Sequence, residues 1–386
     1  MEREKPLSLL LEKQREALVK GVEPDKPPAH LTRTPLPRAK WGTPRGAIDL
    51  TAQAHEELAT RAEAVLRRLL VTDNYDSVSN FISLYDAYEK AGDKLYDVYE
   101  NYAPPIRNKK HTCVGLGLEL MKRWRSLEKD FPGFCAATAL LSCEEAVVEV
   151  KEYVSWGESP EAVVGAEKEH VMVGVQVRVE GRQGLMLADP GYHVPRVVTV
   201  MMDRAYPHTG WFTQSDEPHC RKEYNYTYNL LNPSYVEWHE KETRSDAVKC
   251  QTSLVFAARP YLDGVNVTER RNLVYNFRSL LSRDQKGHLV AGIYFPVGAR
   301  GKDAQFTLFF DSGNEKRKTK YKFSAFNEPT NIPKTILEEI QLCNAQMNYK
   351  KDELRYIICK LAKVMSSQPF IDQMLEINDD ICRMSL

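Results

Sequence analysis

The first part of the chain spaces its apolar residues three or four positions apart. This interval recurs over residues 48–70 and predicts an amphipathic helix. A second pattern of the same kind covers residues 78–99 and stops at Pro104-Pro105, because proline cannot continue a helix. A third begins after Thr112, a suitable N-cap, and ends before Pro132-Gly133. Three consecutive helices are therefore predicted.

Beyond residue 134 the period shortens towards two. Residues 171–179 alternate five valines with other residues, which predicts a strand with one apolar face. Residues 222–328 also alternate, with tyrosines at 224, 226 and 228 on one sheet face, and Gly, Asn and Asp mark the turns. The last 55 residues return to a helical spacing. Helices and strands that occupy separate stretches predict an α+β fold.

The N-terminal stretch differs in composition. Residues 1–48 hold seven of the 21 prolines among scattered charges, without a sustained period. This composition is typical of disorder, so we predict a disordered arm that docks a protein partner. The rest is predicted to divide into a mixed helical and core segment at 49–200, a β-rich domain at 201–330 and a C-terminal helical segment at 331–386.

Charge and composition exclude several classes of protein. Lysine and arginine total 53, as do aspartate and glutamate, so no net field attracts the chain to nucleic acid or anionic lipid. No apolar stretch approaches the length of a membrane span, and the N-terminus lacks a signal-peptide pattern. Eight cysteines in such a chain are typical of reduced thiols. We expect a cytoplasmic protein with no nucleic-acid or membrane partner.

Three residues with reactive side chains stand at the ends of predicted elements. Cys113 begins the third helix, His170 begins the valine strand, and Asp189 follows the next apolar run. A helix N-terminus and an imidazolium lower the pKa of a thiol from about 8.5 and make it nucleophilic. The set predicts a Cys-His-Asp catalytic triad.

The loop between the two strands decides whether His170 can reach Asp189. A two-residue turn at Glu180-Gly181 places Asp189 opposite Met172, on the same face as His170. A longer loop over 180–183 would move the two side chains further apart. The shorter turn therefore favours the triad.

Other residues offer alternatives. Cys135, in Gly133-Phe134-Cys135, is a competing nucleophile, although the small apolar residues after it predict a buried strand.

The adjacent Glu144 and Glu145 are predicted to be a solvated pair. No cysteine and histidine spacing supports zinc, for example among His208, His219, Cys220 and Cys250, so no metal is expected. The basic run 316–322 is predicted to be a solvated sheet edge.

The residues around His170 and Asp189 resemble a known family. The segments 169–175, 179–181 and Leu187-Ala188-Asp189-Pro190-Gly191-Tyr192 resemble the His strand and Asp strand of arylamine N-acetyltransferases. They are also similar to the wider transglutaminase-like and papain-like cysteine superfamily. The resemblance covers about residues 105–200. It implies a cysteine-triad core inside the α+β fold, with helices before it and a β-rich domain and helices after it.

By position the resemblance implies a role for each residue. Cys113 corresponds to the nucleophile, His170 to the base that activates it, and Asp189 to the group that orients His170. It also implies acetyl-CoA or another acyl-CoA as co-substrate, although no cofactor-binding residue is assigned. The chain departs from the acetyltransferases at 108–112, where they have an Arg-Gly-Gly-aromatic run. The separation of 57 residues between Cys113 and His170 is closer to transglutaminases.

Three functions remain open on this sequence. The first is a cysteine-dependent acyltransferase that forms a thioester on Cys113 and passes the acyl group to an amine. The second is a transglutaminase-like or protease-like thiol hydrolase or amidase that acts on a protein substrate. The third is a non-catalytic scaffold on the same fold.

Overall fold

The computed structural model describes residues 35–92, 94–155, 168–217, 220–245, 247–298, 303–313 and 315–384. The chain divides into two units, each built from separate stretches. Unit 1 comprises Met1–Leu66, Gly117–Thr268 and Asp380–Leu386, and unit 2 comprises Arg67–Leu116 and Glu269–Asp379. These boundaries cut through both the 49–200 segment and the 201–330 β-rich domain of the sequence analysis. The reason is that residues 201–330 contribute strands to two different sheets.

Helices and strands are mixed in an α+β fold. The described helices are α1 (Ala52–Thr72), α2 (Ser79–Ala91), α3 (Leu95–Asn101), α4 (Cys113–Trp124), α5 (Phe134–Ala137), α6 (Val150–Ser155), α7 (Arg270–Val274), α8 (Lys334–Gln346), α9 (Glu353–Ser366) and α10 (Gln368–Met384), with a π-helical turn at Gly264–Glu269 and 3-10 turns at Arg125–Lys129, Phe323–Phe326 and Pro329–Asn331. None of these helices combines the length and apolar composition that crossing a bilayer requires.

The strands are numbered in chain order, as the helices are. They are β1 (Ile48–Leu50), β2 (Asn74–Asp76), β3 (Lys110–His111), β4 (Thr138–Glu144), β5 (His170–Val179), β6 (Arg182–Ala188), β7 (Val198–Met201), β8 (Phe212–Glu217), β9 (Cys220–Tyr228), β10 (Tyr235–Arg244), β11 (Ala247–Phe256), β12 (Phe277–Arg283), β13 (Leu289–Pro296), β14 (Gln305–Asp311) and β15 (Lys316–Lys322).

Unit 1 is organised around strand β5. Its sheet has the order β7-β6-β5-β4-β11-β10-β9-β8, and β1 pairs in parallel with β5. The five alternating valines of β5 are buried, as the sequence pattern predicts. Met172, on the opposite face, is also buried, within a cluster that includes Tyr224, Tyr226 and Trp238. Strand β5 is thus covered on both faces, so the residues at its ends lie close to the core.

Unit 2 contains the second sheet, in the order β15-β14-β13-β12-β2-β3. Helices α8 and α9 of the same unit also have buried apolar residues, for example Ile340 and Ile358. The basic run 316–322 forms β15 at one end of this sheet, and most of its residues are exposed. The basic run therefore forms the solvated sheet edge that the sequence predicts.

The structure differs from the sequence expectations in three local features. The helix expected from residue 48 begins only at Ala52, because 48–50 pair with β5. The single helix over 78–99 is two helices, interrupted after Gly92, whose φ of 66° is left-handed. Residues 35–48 of the arm predicted to be disordered pack on unit 1, where Trp41 is buried and its indole N–H donates to Ser142 Oγ at 3.1 Å. The first 34 residues, with the predicted docking function, lie outside the described residues.

The start of α2 provides a test of local stability. Asp76 is buried, and its carboxylate accepts hydrogen bonds from the backbone N–H groups of Val78 and Ser79 at 2.9 and 2.7 Å. We expect Asp76→Ala to lower the free energy of unfolding by about 1–3 kcal/mol, because it leaves buried donors unsatisfied. Chemical denaturation measures the change. Asp86→Ala, on the exposed side of the same helix, should change stability by less than about 0.5 kcal/mol. Equal losses would contradict the capping role.

Candidate active site

A tight hairpin joins the end of β5 to the start of β6, so the last residues of β6 lie beside the first residues of β5. Val179 pairs with Arg182, so the turn consists of Glu180 and Gly181 alone. Both have positive φ, 50° and 76°, as a type I′ turn requires. The two-residue turn predicted from the sequence is confirmed. Its register ends β6 at Ala188, opposite Val173, and places Asp189 beside the first residues of β5.

His170 and Asp189 form a buried pair. The distance between His170 Nε2 and Asp189 Oδ2 is 3.0 Å, and the residues are only 2% and 3% exposed. The other carboxylate oxygen, Oδ1, accepts the backbone N–H of Tyr192 at 3.0 Å. Asp189 therefore has two partners, the backbone of the Pro190-Gly191 turn and the imidazole of His170.

This contact fixes which ring nitrogen of His170 can act as a base. A carboxylate only accepts hydrogen bonds, so Nε2 carries the hydrogen that points at Asp189. Nδ1 then carries the lone pair of the neutral ring. Any proton that His170 takes up must arrive at Nδ1, which is the geometry expected of a general base oriented by a carboxylate.

Aromatic rings surround the imidazole within unit 1. The ring of Tyr192 meets His170 edge to face, with centroids 4.8 Å apart, and Trp238 lies at 6.3 Å. Tyr192 and Trp238 pack against each other at 5.0 Å. The tyrosines of β9 extend this cluster, since Tyr224 and Tyr226 both contact Trp238. These rings exclude water from one side of the pair and restrict the rotation of His170.

A second carboxyl lies next to the pair. The Tyr192 hydroxyl donates to Glu145 Oε1 at 2.8 Å. Burial raises the pKa of the Glu145 carboxyl, and the charge of His170 only partly offsets this effect. The sequence predicts this residue only as half of a solvated pair. It lies near the imidazole because Cys143, near the end of β4, pairs with His170.

The prediction that Glu144 and Glu145 are a solvated pair is wrong. Glu144 is buried and forms an ion pair with Lys168, whose Nζ lies 2.6 Å from Glu144 Oε2 and 3.1 Å from the Tyr153 hydroxyl. The backbone carbonyl of Lys168 accepts the hydroxyl of Thr268 at 2.6 Å. Two residues before His170, the chain is thus fixed by a buried charge pair that no local sequence pattern reveals.

Cys113 begins helix α4 in unit 2, whereas the His-Asp pair belongs to unit 1. The thiol is 4% exposed, and the first intrahelical hydrogen bond runs from Leu116 N to the carbonyl of Thr112. The side-chain amide of Asn272 donates towards Cys113 Sγ, with Nδ2 at 3.9 Å. Membership of Cys113 in one triad with His170 and Asp189 stays a prediction.

Close packing explains the two glycines in α4. A Cβ at position 115 would lie 2.5 Å from the imidazole Nδ1 of His111, and one at 117 would lie 2.9 Å from Leu140 Cδ1 and 3.6 Å from Val173. Gly117 therefore lets this part of unit 1 pack closely on Leu140 and Val173. The Gly115-Leu116-Gly117 sequence serves helix packing.

The competing thiol, Cys135, has a less favourable environment. It lies in the short helix α5 rather than in the strand expected from its neighbours, which begins at Thr138. Its backbone N–H donates to Glu128 Oε2 at 2.6 Å. Burial and the Glu128 carboxylate raise the pKa of the Cys135 thiol, which opposes formation of the thiolate.

The described residues contain no group of three or more His, Cys, Asp or Glu side chains that could hold a metal ion. Among the four candidates of the sequence analysis, His219 lies outside the described residues. His208 accepts a backbone hydrogen bond from Met201 at its Nδ1, at 3.2 Å.

Comparisons with known proteins add little to this geometry. No protein-family model matches the chain, and no curated protein matches it. Among solved structures, the chain is similar to the crystal structure of the Nocardia farcinica arylamine N-acetyltransferase, at 12% sequence identity and a TM-score of 0.35, covering 75% of this chain and 86% of that one. A likeness of this size carries no argument about activity. Fold and site together define an α+β protein with a buried His-Asp pair at the end of a hairpin.

The double role of Asp189 makes a specific variant informative. Asn at this position has one oxygen acceptor for two donors. If it accepts from Tyr192 N, its amide faces His170 Nε2, which must then become the acceptor. We expect Asp189→Asn to move the imidazole hydrogen from Nε2 to Nδ1 while stability changes by about 1 kcal/mol or less.

Nitrogen-15 NMR of the histidine rings reads the tautomer directly. Asp203→Asn, at an exposed site paired with Arg182, is the control and should leave the His170 signals unchanged. An unaltered Nε2–H tautomer in Asp189→Asn would contradict the orienting role of Asp189.

A buried carboxyl in unit 2 predicts a pH dependence of stability. Glu269 is 1% exposed and accepts hydrogen bonds from Asn80 and from the hydroxyl of Thr112, the residue before Cys113. Burial raises the pKa of Glu269 above its usual 4.5. Its contribution to stability is therefore complete below pH 4.5 and is lost as the pH rises through the folded-state pKa.

Replacing Glu269 with Gln removes the charge and this loss. We expect Glu269→Gln to melt about 2–4 °C above the wild type near pH 8, with a smaller difference near pH 5. Thermal melts at several pH values measure both differences. A variant that melts below the wild type at pH 8 would show that the two hydrogen bonds to the charged form outweigh its burial.

Proposed function

We propose that this protein is a cysteine-dependent acyltransferase in which Cys113 carries the acyl group as a thioester. His170 is the base, through Nδ1, and Asp189 orients it. An acyl-CoA such as acetyl-CoA is the donor and an amine is the acceptor. The buried His170–Asp189 hydrogen bond of 3.0 Å is the observation that carries the proposal, because it prepares an imidazole for proton transfer.

The reaction proceeds in two acyl transfers. His170 Nδ1 removes the proton of Cys113, Sγ attacks the acyl carbonyl, and the bond to the CoA sulfur breaks. The CoA thiolate takes the proton from the imidazolium and leaves. An amine then attacks the thioester, the bond to Cys113 Sγ breaks, and the amine proton passes through His170 to regenerate the thiol.

One further observation supports Cys113 over Cys135 as the nucleophile. Burial and the Glu128 carboxylate raise the pKa of the Cys135 thiol, which opposes formation of the thiolate. The proposal requires that Cys113 Sγ reach His170 Nδ1 during the reaction.

Intact-mass analysis after incubation with acetyl-CoA tests the function. We expect the mass to increase by one acetyl group in the wild type and not in Cys113→Ala, while Cys135→Ala still acquires the group. Labelling by a thiol-directed electrophile without acetylation would instead indicate the transglutaminase-like or protease-like hydrolase. Neither reaction at Cys113 would indicate a non-catalytic scaffold.

The role of His170 is tested by alkylation of single cysteines. At about pH 6–7, limiting iodoacetamide should modify Cys113 faster than the exposed Cys250, although burial alone predicts the opposite. His170→Ala should slow this reaction and reduce acylation by about 10²–10⁴-fold.

The chain offers a matched control for His170. His288 and Asp284 form a similar pair at 3.1 Å, with side chains 44% and 39% exposed. His288→Ala should leave both rates unchanged. Equal effects of the two histidine variants, or first labelling at Cys135, would refute the assignment.

A further inference from the structure

The residue that faces Cys113 belongs to helix α7 in unit 2. Nδ2 of Asn272 lies 3.9 Å from Cys113 Sγ, and the side chain is half-buried. At this distance the amide N–H makes a weak contact with sulfur. We propose that Asn272 is a catalytic hydrogen-bond donor that stabilises the oxyanion formed when Cys113 attacks an acyl carbonyl. The inference rests on the proposed function.

The separation between the amide and the thiol suits an oxyanion better than a thiolate. In a tetrahedral adduct on Cys113, the negative oxygen lies two bonds from Sγ. A donor held just beyond direct contact with sulfur can reach that oxygen at about 2.7–3.1 Å, the range for such stabilisation. Cys113 begins α4, and its backbone N–H comes before the first intrahelical hydrogen bond, from Leu116 N to the carbonyl of Thr112. The proposal does not depend on this second N–H.

Helix α7 is anchored so that Asn272 keeps this position. Glu269 lies three residues before Asn272, so both side chains share one side of the turn. Glu269 accepts the hydroxyl of Thr112, and Asn272 faces Cys113, the next residue of the chain. The consecutive residues Thr112 and Cys113 are therefore contacted by Glu269 and Asn272, which are three positions apart.

A buried arginine fixes the other end of the helix. Arg278 is fully buried, and its guanidinium donates to the backbone carbonyls of Asn272 and Leu273. The same group lies over the ring of Phe81 at 4.5 Å. With its main chain held at Glu269 and at Arg278, Asn272 can present its amide without reorganisation during the reaction, which is the condition for effective oxyanion stabilisation.

The test compares two reactions of the same thiol. Acylation of Cys113 passes through an oxyanion, whereas alkylation by iodoacetamide is a direct displacement without one. We expect Asn272→Ala to slow acylation by acetyl-CoA or p-nitrophenyl acetate by about 10²–10³-fold and to leave the alkylation rate nearly unchanged. Asn276→Ala, an exposed position nearby, should change neither rate.

Each outcome has a distinct meaning. Equal slowing of both reactions by Asn272→Ala would show that Asn272 only supports the local structure, and an unchanged acylation rate would show that it is not a donor; both results overturn the inference and leave the proposed function standing. A wild-type protein that neither acyl donor acylates refutes the proposed function, and with it the need for an oxyanion donor.

Discussion

The carboxylate of Asp189 links the hairpin to the chemistry of the site. Its two oxygens have separate partners, the Tyr192 backbone at 3.0 Å and the His170 ring at 3.0 Å. Because both contacts are buried, neither partner can exchange its hydrogen bond for one to water without a cost. The turn after β6 therefore holds Asp189 in place, and Asp189 in turn holds the imidazole in one orientation and one tautomer.

The surroundings of the pair follow from the place of β5 in the sheet. The valine face of this strand is buried, and on the other face the aromatic cluster around Trp238 covers Met172. His170, the first residue of the strand, lies at the edge of this aromatic cluster. Polar side chains are found at this edge. Glu145 and the Lys168–Glu144 ion pair occupy that edge. Such an arrangement concentrates charged groups in a poorly hydrated region, where their interactions are strong.

In unit 2 the start of α4 is organised by residues far away in sequence. Glu269 and Asn272 meet residues 112 and 113 across more than 150 positions of the chain. The local pattern around Cys113 predicts a helix start at Thr112, and the structure has one there. It contains no information about the amide and the carboxyl that contact the start of the helix. Asn272 comes from the five-residue helix Arg270–Val274 and Glu269 from the π-helical turn before it, and neither segment has a recognisable periodicity.

Elements with local signals can be predicted from the sequence alone. Alternating valines predicted β5. Glu180-Gly181 favoured a two-residue turn over a longer loop, and a turn of that length places Asp189 beside His170, since a hairpin register follows from its loop. Tertiary contacts set the division into two units, the burial of Glu144, the packing of Trp41 and the neighbours of each thiol. Cys113 faces the amide of Asn272, and Cys135 lies beside the carboxylate of Glu128. That difference depends on contacts between separate segments, and no periodicity along a chain encodes which side chain a distant segment will bring.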